Sequence, residues 1–261
     1  MEDKIPSDGV VVKNARLAVA AELRRSSRLQ STIQKQERCI YCTVMVLAKM
    51  SVKPGGHGTV NGNGKKPEVV VFAGPNGSGK STITDLLRPV DMVYINADEI
   101  QRVLGCDNME AAKIAEKRRE DCVKTHKGFC FETVLSTDRN LNLLKRAAAE
   151  GFFIRCYYVL TADPQINVAR VATRVSAGGH DVPVDKIIAR YDRALDLVKE
   201  LVPVCDVCHI YDNSLDAPYR IFKKRKDQYW YCPETDLWLK EDIVALTGIE
   251  SVVRGALNKQ T

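Results

Sequence analysis

Val69-Val70-Val71-Phe72-Ala73-Gly74-Pro75-Asn76-Gly77-Ser78-Gly79-Lys80-Ser81-Thr82 is the stretch on which the fold turns. Its first five residues are apolar and mostly β-branched, the mark of a strand covered on both faces. Gly74 to Ser81 then satisfy G-x-x-x-x-G-K-[ST], and Lys80 to Leu87 read as a helix. Strand, glycine-rich turn and helix in that order make a P-loop. Glycines let backbone N–H groups turn inward around phosphates, and the helix N-terminus adds its positive end. The candidate nucleotide-binding residues are Gly74, Pro75, Asn76, Gly77, Ser78, Gly79, Lys80, Ser81 and Thr82. Lys80 is placed to reach the β and γ phosphates of ATP, and the Ser81 hydroxyl to ligate Mg²⁺.

Outward from this loop the same alternation continues. Strands are expected at Met92 to Asn96, Gly128 to Thr133, Phe153 to Thr161 and Val207 to Tyr211. Helices are expected at Met109 to Thr125, Asp138 to Glu150, Pro164 to Ser176 and Val184 to Leu201. Buried strands separated by helices imply a three-layer α/β architecture with a central, mostly parallel sheet, and the loop makes it a P-loop NTPase. Tyr219 to Phe222 and Gln228 to Tyr231 flank a charged turn at Lys223 to Asp227 and read as a C-terminal hairpin, followed by a helix from Leu239 to Leu246.

Ahead of the P-loop the character changes. Residues 53–67 are rich in Pro, Gly, Asn and Lys and read as a flexible linker between an N-terminal helical extension, 1–52, and a kinase domain, 68–261. Within the extension, 12–37 has the spacing of an amphipathic helix, with a second segment at 39–51. The chain as a whole has 261 residues, 45% hydrophobic and 28% charged, which excludes disorder as its main state. A net charge of +6 favours anionic ligands but is too diffuse to demand nucleic acid. Nine cysteines, an odd number without a secretion signal, point to reduced thiols in the cytoplasm. The apolar run Cys39 to Met50 falls short of the roughly 20 residues that span a bilayer, so no membrane partner is expected.

Three further groups converge on the same edge of the sheet. Asp98, in Asn96-Ala97-Asp98-Glu99, follows the second strand and is a candidate base for an attacking hydroxyl; it also reads as the N-cap of a helix from Glu99 to Leu104. Glu132 and Thr133 end the third strand beside the same cleft, where Glu132 is a candidate to hold Mg²⁺ through water or to grip the substrate. The helix Pro164 to Ser176 stops at Gly178-Gly179 and restarts after Pro183, which is lid-like. Arg174 is its catalytic candidate, with His180 and Arg190 on the substrate side and Arg170 and Arg193 in reserve. These residues support a phosphotransferase acting on a small-molecule hydroxyl. A nucleoside or polynucleotide-end kinase would use the same parts, and a non-catalytic ATP-binding regulatory module would use the loop alone.

GPNGSGKST, INADEI, FETVLS, YYVLTADP and RVSAGGHDVPVDKIIARYDRAL together resemble the zeta toxin family of P-loop kinases, over about Glu68 to Ser214. The resemblance implies a nucleotide-kinase-like fold that uses ATP and Mg²⁺. It casts Lys80 and Ser81 as the phosphate and Mg²⁺ residues, Asp98 as the base, and Glu132 with Thr133 as the substrate-side pair. The best-known members phosphorylate the 3′-hydroxyl of the sugar in UDP-N-acetylglucosamine. They carry Glu-Gly-Thr where this chain has Glu132-Thr133-Val134, and a second phosphate-binding arginine near Gly179 and His180. They are also restrained by a small helical antitoxin, made in trans or fused in cis. Residues 12–51 are the cis candidate here.

Two motifs stand apart from this scheme. Cys39-Ile-Tyr-Cys42 and Cys205-Asp-Val-Cys208-His209 have metal-site spacing, but the second overlaps an expected buried strand, where its thiols act as small apolar side chains. The run Lys223 to Lys226, followed by Tyr229, Trp230 and Tyr231, reads as a solvated hairpin turn, so no nucleic-acid partner is expected.

Overall fold

The computed structural model describes residues 66–179, 181–231 and 237–250. The expected N-terminal helices at 12–37 and 39–51, most of the linker, Cys39, Cys42 and His180 lie outside the described residues. The β-branched run after Pro67 forms β1 (Glu68–Ala73), and the glycine loop hands over to α1 (Lys80–Leu87). The chain continues through β2 (Val93–Ile95), α2 (Ala97–Leu104), α3 (Asn108–Lys124), β3 (Phe129–Thr133) and α4 (Asp138–Ala149). Next come β4 (Phe153–Leu160), α5 (Pro164–Ser176), α6 (Val184–Asp196), α7 (Val198–Val204) and β5 (Val207–Asp212). The hairpin β6 (Tyr219–Arg225) and β7 (Gln228–Tyr231) precedes α8 (Lys240–Thr247).

The strands form one seven-stranded sheet in the order β2-β3-β1-β4-β5-β6-β7. The first five in that order run parallel, and β6 and β7 are antiparallel. This is the expected three-layer α/β architecture. Alternation along the strands divides two cores. Val69, Val71, Phe129, Phe131, Ile154 and Ile210 pack with residues from α3, α4, α7 and α8 on one face. Val70, Phe72, Tyr157, Val159 and Tyr211 pack with Ile83 of α1 on the other. Because β1 to β5 are parallel, the carboxyl ends of β1, β2 and β3 open at one edge, where ligands bind in open α/β sheets.

Several sequence expectations are corrected. The expected single helix Val184 to Leu201 is α6 and α7, joined at Leu197, which caps both. The break lets α6 bury Ile187 and Tyr191, while α7 buries Val198, Leu201 and Val202. No Gly marks it, and the apolar period runs on through it, so the sequence shows one helix. The charged hairpin turn shrinks to Lys226-Asp227, because Lys223, Lys224 and Arg225 belong to β6. Strand alternation turns Lys224 inward, where its ammonium donates to the carbonyls of Val202 and Pro203. β5 begins at Val207 as expected, and Cys205, just ahead of it, is the C-cap of α7.

Candidate active site

The phosphate loop is held from three sides by groups too close for a side chain. At Gly74 (φ +141°) a Cβ would stand 1.9 Å from the carbonyl oxygen of Val159 in β4. At Gly77 (φ +77°) it would meet the Asn167 carbonyl of α5 at 2.5 Å, and at Gly79 (φ +90°) the Asn213 amide at 2.2 Å. Only glycine tolerates these left-handed angles without cost. Asn213, just past β5, donates to the Ser78 carbonyl at 2.8 Å, and Gly74 N–H donates to the Thr133 carbonyl at 3.2 Å. The loop is thereby tied to the ends of three strands.

A cavity of about 390 Å³ opens beside it. Asn76, Gly77, Gly79, Lys80 and Ser81 form one wall, and Asn96, Asp98, Glu132 and Thr133 form a second. Arg170 and Arg174 on α5 form a third. The cavity thus brings together Lys80, Ser81, Asp98, Glu132, Thr133 and Arg174, which the sequence placed there from separate segments. Gly74, Pro75 and Ser78 sit behind the wall, Thr82 is exposed on α1, and Arg190 on α6 does not line it.

Lys80 donates to the Pro75 carbonyl at 2.9 Å, folding back over its own loop. Burial pushes its ammonium down to about 8; Glu132 and Asp98 oppose the shift and Arg174 adds to it. Two carboxylates and an arginine therefore act electrostatically on the loop lysine. No side chain among the described residues caps the N-terminus of α1. A loop with no room for Cβ atoms, an uncapped helix start, Lys80, and an Arg170 Nη1 buried without a hydrogen-bond partner among the described residues fit a phosphate chain. The Ser81 hydroxyl with nearby carboxylates is the oxygen donor set that Mg²⁺ takes.

Asp98 does not cap α2. Asn96 does, its side-chain oxygen accepting from the N–H groups of Asp98 (2.8 Å) and Glu99 (3.3 Å). That relieves the Asp98 carboxylate of the capping role the sequence also suggested. The Asn96 amide in turn donates to the Tyr94 hydroxyl (2.7 Å), which donates to Glu132 Oε1 at 2.9 Å. A single asparagine side chain thus fixes the backbone under one carboxylate and, through Tyr94, the orientation of the other. Thr133 Oγ1 accepts from Leu135 N–H (3.0 Å) and the Asn140 amide (2.8 Å), so its oxygen braces the turn after β3.

On the lid side, Gly179 allows the chain to fold against Arg174: a Cβ there would meet the Arg174 side chain at 2.6 Å. Sequence reasoning missed Tyr94, Asn140, Asp212 and Asn213. Asp212 is buried at the end of β5 and pushed up to about 6 by burial, against hydrogen bonds from Ser214 and the charge of Arg170. Its Oδ1 accepts from the Ser214 hydroxyl at 2.5 Å. A polar residue ending an apolar strand, followed by Asn and Ser, was the signal available for this turn.

A mostly parallel sheet that presents a P-loop, an acidic pair and helix-borne arginines to one cavity defines a P-loop kinase. The chain belongs to the zeta toxin family, whose model matches residues 57–221. It is 30% identical over 129 residues to a Haemophilus influenzae protein described as uncharacterized, covering 48% of this chain and 92% of that one. Among solved structures, the AvrRxo1-ORF1:AvrRxo1-ORF2 complex with sulphate ions is similar at a TM-score of 0.55 and 11% identity, over 87% of this chain and 74% of that chain. The same complex with ATP gives 0.55 and 13% over the same shares. At such identities these likenesses concern the fold. No helix among the described residues is long and apolar enough to cross a membrane.

Proposed function

We propose that this kinase transfers the γ-phosphoryl group of ATP to a hydroxyl of a small metabolite, with Asp98 as the base. The observation that carries the reading is that Asp98 lines the same cavity as Lys80 and Ser81. In this scheme the loop N–H groups and Lys80 hold the phosphate chain, and the Ser81 hydroxyl holds Mg²⁺. When bound, the metal ion neutralises charge on the β and γ phosphates. Glu132, oriented by Tyr94, positions the acceptor. Asp98 takes the hydroxyl proton as the new O–P bond forms and the bond to the leaving diphosphate breaks. Arg170 and Arg174 offset the charge of the transferring group.

Family membership makes UDP-N-acetylglucosamine the first acceptor to test. The Glu132-Thr133-Val134 step, in place of Glu-Gly-Thr, favours an acceptor panel that also contains other sugar nucleotides, nucleosides and polynucleotide ends. Mass spectrometry of products from such a panel identifies the acceptor. Lys80→Ala should abolish transfer. Asp98→Asn should lower turnover by about 10²-fold or more while nucleotide affinity persists. Near-normal turnover in Asp98→Asn removes the base assignment, and tight ATP binding with no phosphorylated product from any acceptor makes the protein a nucleotide-gated module.

Residues 12–51, joined through the 53–67 linker, are proposed as a cis-acting antitoxin, since a tethered segment has a high effective concentration over a neighbouring cleft. Removal of residues 1–65 should then raise ATP turnover. Unchanged turnover leaves an antitoxin in trans as the remaining partner.

A further inference from the structure

Cys205-Asp206-Val207-Cys208 takes no part in the phosphate site, yet the fold completes it with a third thiol. Cys156 of β4 lies directly across from Cys208 of β5, and Cys205 caps the end of α7 beside them. The three sulfurs lie within 4.8 Å of one another, and none is in a disulfide. All three residues are at most 1% exposed. His209, although adjacent in sequence, is on the opposite face of the sheet, stacked between Tyr157 and Tyr211. The group is therefore sulfur only.

Packing alone accounts for buried cysteines, which behave as small apolar side chains. It does not account for the lysine beside them. Lys224 is the register partner of Cys208 and is only 6% exposed. Its ammonium donates to two carbonyls, at 2.8 and 3.0 Å, and no ion pair among the described residues includes it. A buried cation without an anion is costly. The neighbours able to supply the anion are the thiols, since Cys208 stands in register with Lys224 and Cys205 caps the helix whose carbonyls hold the ammonium.

We infer that Cys156, Cys205 and Cys208 form a binding site for a soft monovalent metal ion of the copper(I) type. Thiolates select such ions, and a low coordination number suits a group of three donors. Zinc needs a fourth ligand or a bound water, and among the described residues no fourth His, Cys, Asp or Glu joins the three thiols. Charge also closes: one Cu⁺, two thiolates and the Lys224 ammonium sum to zero, with the third cysteine remaining a neutral thiol. Two thiol protons leave to solvent as two copper–sulfur bonds form, and no redox change is required. Entry runs through the end of α7. Pro203 interrupts that seven-residue helix, and Val204 and Asp206, either side of Cys205, are partly exposed, so local opening of this turn admits the ion.

The test is an anaerobic titration of the full chain, reduced, with Cu(I) against bicinchoninate, in a Cys39→Ser/Cys42→Ser background that removes the other C-x-x-C pair. One copper per chain should resist the competitor and show near-ultraviolet thiolate-to-copper absorption. Cys156→Ala and Cys208→Ala should each lose it, and Lys224→Met should weaken it at least tenfold. Circular dichroism reports whether each variant has folded. Should a variant not fold, X-ray absorption on the parent protein decides, with two or three sulfur neighbours expected. Copper equally retained by a folded Cys156→Ala/Cys208→Ala variant, no copper retained by the parent, nitrogen or oxygen neighbours, or zinc held in preference to copper overturns the inference.

Discussion

Gly79→Ala tests how the phosphate loop is built. Gly79 has φ +90°, and its Cβ would stand 2.2 Å from Asn213 Nδ2, the group that donates to Ser78 O at 2.8 Å. The substitution puts an alanine in the left-handed region, costing about 1–2 kcal/mol. It also drives the Asn213 amide off its carbonyl, adding about 1 kcal/mol. Gly79→Ala should therefore lower stability by about 2–3 kcal/mol, and Asn213→Ala by about 1 kcal/mol. If the collision with Asn213 is the cause, the double variant costs little more than Gly79→Ala, since the hydrogen bond is lost only once. The cycle should show a coupling of about 1 kcal/mol. Urea unfolding at constant m-value reads the stabilities, and nucleotide titration of each variant shows whether the loop still admits phosphate. Strict additivity in the double variant would refute the account of the loop as braced by Asn213.

Tyr94→Phe removes the hydroxyl between Asn96 and Glu132 and should reduce acceptor kcat/KM about tenfold with nucleotide affinity unchanged, read by steady-state kinetics. For Lys80 the folded value of about 8 lies below the ordinary 10.5, so the unfolded chain binds more protons between them. Stability should rise with pH across that window, and Lys80→Met should remove the rise in urea midpoints measured at successive pH values. Asp212 has the opposite sign. Its folded value of about 6 lies above the ordinary 3.8, so its contribution should fall as pH rises through that interval, and Asp212→Asn should flatten the slope. Midpoints that respond to pH identically in the parent and Asp212→Asn proteins dismiss this role for the carboxyl.

Much of this protein is written in local sequence. The P-loop was legible because strand, glycine turn and helix are contiguous, and the bounds of α1 and α5 match the expected Lys80 to Leu87 and Pro164 to Ser176. Asp98, Glu132 and Arg174 could be assigned to one cavity because strands that alternate with helices run parallel and open at a common edge. What sequence could not decide were relations between distant segments. Asn96 rather than Asp98 caps α2, because only the folded turn shows which side-chain oxygen reaches the free N–H groups. Asn213 braces a loop 135 positions away, Tyr94 bridges to Glu132, and Cys156 joins a motif about fifty residues downstream. Periodicity and turn chemistry act over a few residues and leave their trace in the local pattern. Hydrogen-bond partners and converging thiols depend on strand register and on the tilt of packed helices, and those are set only when the whole sheet has assembled.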